Sequence, residues 1–344
     1  MSQPQTPTPP NKTRRRLSFF LRLAVGLIVL GVIIWQTDFT QLTEALGNIN
    51  PWWLVGAFGA QIVGNFLIWP LRWSLLLNLY DIPAPFVRLV KAVYVGSFFG
   101  HFLPTSFGGD VYRAYWILDD KSQYRKSFFV IFVERFIGLV LLGYIALPAF
   151  IVLLVQRSAG GGIFVPILGL MVLVAASILL LNPNVYRFLD RLVFRDRKLL
   201  QSWRAKLAEA LVFLHESPRK AQIYLLSLLV QLDGIVYFYC IGMALGLPLE
   251  FWHYFVVVPP TVVATMLIPI SFNGLGVREA SLVLLTSAIG LAVSPAEAVA
   301  LGLLALVITL INSLFGGLFY IMGKGEATLP TLQIAEAENV GERT

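Results

Sequence analysis

The chain has 344 residues, 57% of them hydrophobic and only 13% charged, with a mean hydropathy of +0.76. That leaves too little polar surface to cover a water-soluble globule of this size, so soluble enzymes and soluble binding modules are excluded. The net charge of +7 falls in blocks between apolar runs, the pattern of a polytopic membrane protein and not of a nucleic-acid binder.

Residues 1–16, rich in Pro, Gln and Thr and ending in Lys12, Arg14, Arg15 and Arg16, read as a disordered basic tail. Apolar runs follow near 18–36, 52–71, 128–155, 163–182, 221–246 and 297–322. Each reaches the roughly 20 residues needed to cross about 30 Å of hydrocarbon. All six are predicted helical, because backbone groups in lipid must bond within their own segment. The first is read as a retained span and not a signal peptide: no small-residue cleavage site follows it, and Trp35 stands where an interfacial anchor belongs.

These runs define a single transmembrane domain over 17–325, with a first half at 17–182 and a second at 221–325. Between them, 183–220 carries nine Lys/Arg against four Asp/Glu, and Val185, Phe188, Leu189, Leu192 and Val193 follow helical spacing. An amphipathic helix on the inner leaflet is predicted there. The polar stretch 326–344 is expected to be disordered.

Basic residues alternate with the spans. The residues before the first span, then Arg72, Arg88 and Lys91, then Lys121, Arg125 and Lys126, then 183–220 and Lys324 fall on one side, whereas 37–51 contains no Lys or Arg. The positive-inside rule makes that side cytoplasmic, with both termini inside.

Two further apolar segments, 89–103 and 254–268, are short, and each runs into a break. Pro-Thr-Ser-Phe-Gly-Gly-Asp-Val-Tyr-Arg at 104–113 returns as Pro-Ile-Ser-Phe-Asn-Gly-Leu-Gly-Val-Arg at 269–278, a shared P-x-S-F-x-G-x-x-x-R pattern at an offset of 165. Proline and glycine interrupt a helix there, so each segment reads as a helix, a break and a half-helix near 111–118 and 277–292. If both pairs are re-entrant, three full spans lie between them and the second enters from the opposite face. The expected architecture is therefore all-α, with about six spans and two broken re-entrant helix pairs in an inverted repeat.

Each break ends at a half-helix N-terminus, where unpaired N–H groups favour an anion. Arg113 and Arg278, one turn or less into those half-helices, add guanidinium forks suited to phosphate oxygens. Asp110 and Glu279 either orient these arginines or carry a proton. Ser106 and Ser271 act as caps or, with Asn273, as ligands in the same motif. Adjacent on the third span, Glu134 and Arg135 point different ways and each needs a partner elsewhere. Asp233, mid-span, is either a proton relay or a protonated acid bonded to the backbone. Asn65, Trp69 and Arg72 share one helical face, with Arg72 expected to snorkel to the cytoplasmic headgroups.

The single cysteine, Cys240, and three scattered histidines provide neither an intrachain disulfide nor a His/Cys metal site, and no cofactor is expected. A nucleotide phosphate loop and a G-x-S-x-G elbow are both absent from the sequence.

The H-F-L-P-T-S-F-G-G-D-V-Y-R-A run at 101–114, V-E-R-F-I-G-L at 133–139 and P-I-S-F-N-G-L-G-V-R-E-A at 269–280 together resemble the lysylphosphatidylglycerol synthase transmembrane-region family, the flippase-like integral membrane proteins. The resemblance runs from about 20 to 322 and implies lipid handling. It maps the family's polar motifs onto Asp110, Arg113, Glu134, Arg135, Arg278 and Glu279, and the chain is expected to lack the family's C-terminal soluble aminoacyl transferase domain.

The expected function is translocation of an anionic or aminoacylated phospholipid, or a polyprenyl-linked substrate, in a bacterial inner membrane, with a partner enzyme supplying the substrate. The second reading is a membrane-embedded transferase, or its accessory subunit, acting on a polyprenyl-phosphate-linked sugar, with Glu134, Asp233 and Glu279 as acid or base.

Overall fold

The computed structural model describes residue 31 and residues 39–102, 108–118, 120–156, 217–267 and 274–322. The expected spans at 18–36, apart from residue 31, and at 163–182, the amphipathic segment apart from its last four residues, both tails, and Ser106, Ser271 and Asn273 lie outside the described residues. Within them the chain is all-α, with no strand. The helices are α1 (Phe39–Gly47), α2 (Pro51–Val63), α3 (Trp69–Leu79), α4 (Phe86–Phe102), α5 (Gly108–Trp116), α6 (Tyr124–Gln156), α7 (Lys220–Ala244), α8 (Phe251–Leu267), α9 (Val277–Ala288) and α10 (Pro295–Met322).

Four helical stretches are long and apolar enough to cross a membrane: Pro51–Leu79, Tyr124–Leu147, Lys220–Ala244 and Pro295–Met322. The first is α2 and α3 joined by a π-helical turn at Gly64–Ile68, where the Trp69 N–H reaches back to the Gly64 carbonyl. Asn50 caps this stretch by accepting from the Trp52 N–H at 3.1 Å, with Pro51 at the first helical position, where its missing N–H costs nothing. A reciprocal Ser294 and Glu297 box opens α10: the Ser294 N–H donates to Glu297 Oε2 at 2.7 Å and the Glu297 N–H to Ser294 Oγ at 3.2 Å.

The constant offset in the sequence recurs in the helix boundaries. α4 and α8 begin at 86 and 251 and end at 102 and 267, and the spans before them end at 79 and 244. Those preceding spans run antiparallel. Asn50 N–H bonds to the Ala244 carbonyl at 2.8 Å, a Cβ on Gly56 would meet Cys240 Sγ at 3.5 Å, and Gly64 abuts the Asp233 carboxylate, so the register falls on α7 as it rises on α2.

The broken pairs exchange partners between the halves. α4 packs on α10, the last span, while α8 packs on α6, the long span of the first half. Helices in lipid gain nothing from burying apolar surface against one another, so close approach of small residues does the work. A Cβ on Gly317 of α10 would stand 2.9 Å from the Phe98 ring, and Gly316 lies against the Tyr94 carbonyl. Arg88 Nη1, at the start of α4, donates to the Ile117 carbonyl just after α5 at 3.3 Å, so the pair returns to the end it started from. With nine residues, α5 is about 13 Å long, less than half a bilayer core.

One expected helix start moves. α5 begins at Gly108, whereas α9 begins only at Val277, because Gly274 and Gly276 adopt φ values of +71° and +80° that hold the chain out of a helix. Arg113 therefore lies in the second turn of its half-helix and only Arg278 in the first.

Candidate functional site

Five charged side chains meet where α3, α5 and α6 converge. Glu134 sits at the centre, almost fully buried, with Oε1 accepting from both Trp69 Nε1 and Arg72 Nη2. Its second oxygen faces Arg113 Nη2 at 3.2 Å. The same Nη2 lies 3.4 Å from Asp110 Oδ1, and Asp110 Oδ2 accepts from Arg135 Nε and Nη2, both at 2.6 Å. The result is an alternating chain, Arg72, Glu134, Arg113, Asp110, Arg135, assembled from three helices.

Local sequence explains the supply of these groups. Trp69, Arg72 and Trp73 recur at three- and four-residue steps on α3, presenting an indole donor, a guanidinium and a second ring on adjacent faces. The Arg113 guanidinium lies over both rings, 4.8 Å from the Trp69 centroid and 4.6 Å from that of Trp73. Cation–π contact of this kind strengthens when desolvated, and Arg113 is only 2% exposed. Arg113 and Asp110 are separated by three residues on α5, so one face delivers both charges.

Arg72 does not snorkel. It is buried against Glu134, because the helix face that was expected to lead it to the headgroups instead leads it into α6. Adjacent residues Glu134 and Arg135 do find separate partners, as their opposite directions on α6 require.

The chain of charges borders a cavity of about 290 Å³ whose wall includes Asp110, Arg113 and Arg135 together with Gln61, Asn65 and Trp69. The wall also includes Ser97 and His101 from α4 and Thr309 from α10. From Gln61 and Thr309 of the wall a neutral polar cluster ties α2, α7 and α10 together: Gln61 Nε2 donates to Thr309 Oγ1 at 3.2 Å, Asn312 Nδ2 donates to Gln61 Oε1 at 3.1 Å, and Tyr237 OH lies 3.1 Å from Thr309 Oγ1. Gln61, Thr309, Tyr237 and Asn312 were not singled out from sequence. Isolated polar residues in three separate apolar runs carry no motif, and only the helix packing brings them together.

The remaining candidates separate. Arg278 does not line the cavity, but its charge acts on His101, which does, and on Tyr237. Glu279 is fully buried and folds back to accept from the Gly276 N–H at 2.7 Å, closing the first turn of α9 against Gly302. Asp233 lies outside the cavity wall, pressed against Gly64 at the π-turn. Among the described residues no group of three or more His, Cys, Asp or Glu is placed to hold a metal ion.

Comparison with known proteins gives two partial likenesses. The chain is 30% identical over 96 residues to a UPF0104 membrane protein of Methanothermobacter thermautotrophicus, a stretch covering 28% of this chain and 26% of that protein. It is 23% identical over 166 residues to the UPF0104 membrane protein PH1989 of Pyrococcus horikoshii, covering 47% of this chain and 48% of that protein. The matched stretches thus span about a quarter and about half of these relatives. No solved structure matches the chain. Residues 19–316, which hold all of the charges described above, match the lysylphosphatidylglycerol synthase TM region, and the chain belongs to that family of integral membrane proteins.

Proposed function

We propose that this protein translocates a phosphate-bearing lipid headgroup across the membrane through the cavity beside Asp110, Arg113 and Arg135. The observation that carries the reading is the alternating chain of five charges, four of them buried, bordering a polar cavity among helices of membrane-spanning length. Charges at that depth are costly and mark substrate pathways. The matched helix ends, the antiparallel spans and the exchanged packing of α4 on α10 and α8 on α6 support two inverted halves around the site. A bacterial inner membrane with both termini cytoplasmic fits the charge alternation of the sequence, and a partner enzyme would supply the substrate.

The transferase reading needs an acid open to the cavity. Asp110 is the acid in its wall, and arginines hold both its oxygens, while Glu134 and Glu279 are enclosed and Asp233 faces elsewhere. Translocation is therefore favoured over catalysis.

The deciding experiment is reconstitution in vesicles with labelled anionic phospholipids and polyprenyl phosphates. Faster transbilayer movement than in protein-free vesicles, reduced by Glu134→Gln at equal incorporation, is the expected result. If no such lipid moves faster than in empty vesicles, the reading fails.

A further inference from the structure

Among the described residues the charges beside the cavity do not balance. Arg72, Glu134, Arg113 and Asp110 are all buried and count two cations against two carboxylates. Arg135, bonded to Asp110 Oδ2 at 2.6 Å, brings the chain of charges to three cations against two carboxylates, and it is the member open to the cavity, with its side chain 38% exposed. The nearest charges contributed by α9, Arg278 and Glu279, are adjacent opposites and leave the sum unchanged. Arg113 is 2% exposed, lies over two indole rings and sets Nη2 against two carboxylates, so although its Nε and Nη1 make no hydrogen bond it is enclosed where Arg135 is open.

A low-dielectric site holds a net charge only where water or a further partner reaches the group that carries it. Arg135 meets that condition. We infer that Arg135 is the residue that takes the charge of the cargo, and that the single surplus cation matches the site to a headgroup of one net negative charge, a phosphodiester. The inference rests on the translocator reading above. A phosphomonoester carries about −1.5 to −2 at neutral pH and would overfill the surplus. A zwitterionic headgroup would bring its own cation against Arg135. Glycerophospholipids and polyprenyl-phosphoryl sugars both supply phosphodiesters, so the site selects the charge state before the lipid class.

The test uses the full chain in vesicles carrying labelled phosphatidylmethanol, phosphatidic acid or phosphatidylcholine, and a second set with a polyprenyl-phosphoryl sugar or the bare polyprenyl phosphate. The two sets identify the source. In whichever set moves, the diester should lead the monoester and the zwitterion by roughly tenfold, the effect of about 1.4 kcal/mol. Arg135→Gln should abolish the lead and Arg135→Lys should keep it. Asp110→Asn, which raises the surplus to two, should shift preference towards the monoester. Should Arg135→Gln fail to insert, the Lys and Asn variants decide alone.

Movement without order among the charge states, or a lead that survives Arg135→Gln, overturns the inference and leaves translocation standing. If nothing moves, translocation falls, and native mass spectrometry of the purified protein titrated with the same lipids decides the charge assignment. Preferential retention of the diester, lost in Arg135→Gln, keeps it; equal retention overturns it.

Discussion

Gly109 of α5 lies against Gly100 of α4 so closely that a Cβ on Gly109 would stand 3.0 Å from the Gly100 Cα, and the matched glycine 165 residues later, Gly274, stands in the same relation to Thr265 at 3.0 Å from Cγ2. The contact sets the spacing of the half-helix that carries Asp110 and Arg113. Gly109→Ala must push α5 off α4, since the atoms it meets are backbone, and should cost about 1–3 kcal/mol, as overpacking does. Gly234→Ala, on α7 with nothing within 4 Å, should be neutral or slightly stabilising. Thermal unfolding of both variants in detergent checks the pair. Equal midpoints would show that the close approach does not hold the two helices.

Arg72→Met leaves the buried Glu134 carboxylate with one fewer cation, where a snorkelling arginine would have been replaced at little cost. Breaking one partner of a buried pair costs about 3–5 kcal/mol. The double change Arg72→Met with Glu134→Gln should fall short of the sum of the singles by at least about 1 kcal/mol, because the second change removes the charge the first had orphaned. The readout is again apparent stability in detergent. A loss under about 0.5 kcal/mol for Arg72→Met, the range of ordinary surface changes, would place Arg72 outside the network.

These two cases mark what the sequence could and could not say. The broken pairs and the offset of 165 were legible because proline and glycine punctuate a helix wherever they stand, and the helix ends repeat that offset. Four of the six apolar runs are spans within the described residues. Local spacing also placed Asn65, Trp69 and Arg72 on one face. It could not name the element that face meets: Arg72 and Glu134 are 62 positions apart, and their pairing is a product of α3 packing on α6. The same holds for Asp233, whose neighbour Gly64 belongs to a π-turn that no periodicity announces.

That neighbour yields a third expectation. A Cβ on Gly64 would collide with Asp233 Oδ2. The group met is the end of a side chain, so Gly64→Ala should destabilise the protein by no more than about 1 kcal/mol, the low end of overpacking, and the smaller side chain in Asp233→Ala should restore much of the loss, while the isosteric Asp233→Asn should not. The cycle is read from unfolding midpoints of the singles and doubles. Rescue by Asn as full as by Ala would mean that charge and not volume governs the contact.

The last expectation concerns the two repeated arginines. Arg113 Nη2 spans Asp110 and Glu134 while its plane covers two indoles. Arg113→Lys keeps the charge but loses the planar guanidinium that covers both indoles while its Nη2 reaches both carboxylates. Lipid movement should fall by about tenfold, equivalent to ~1.4 kcal/mol of barrier, with insertion preserved. Arg278 does not line the cavity, but its charge acts on His101, which does, so Arg278→Lys, which conserves that charge, should cost less than Arg278→Gln. If both arginines serve one pathway from opposite halves, the double Arg113→Lys and Arg278→Gln should lose less than the sum of the two singles. Transport rates of the four variants at matched abundance measure this, and strictly additive losses would assign the two arginines to independent tasks.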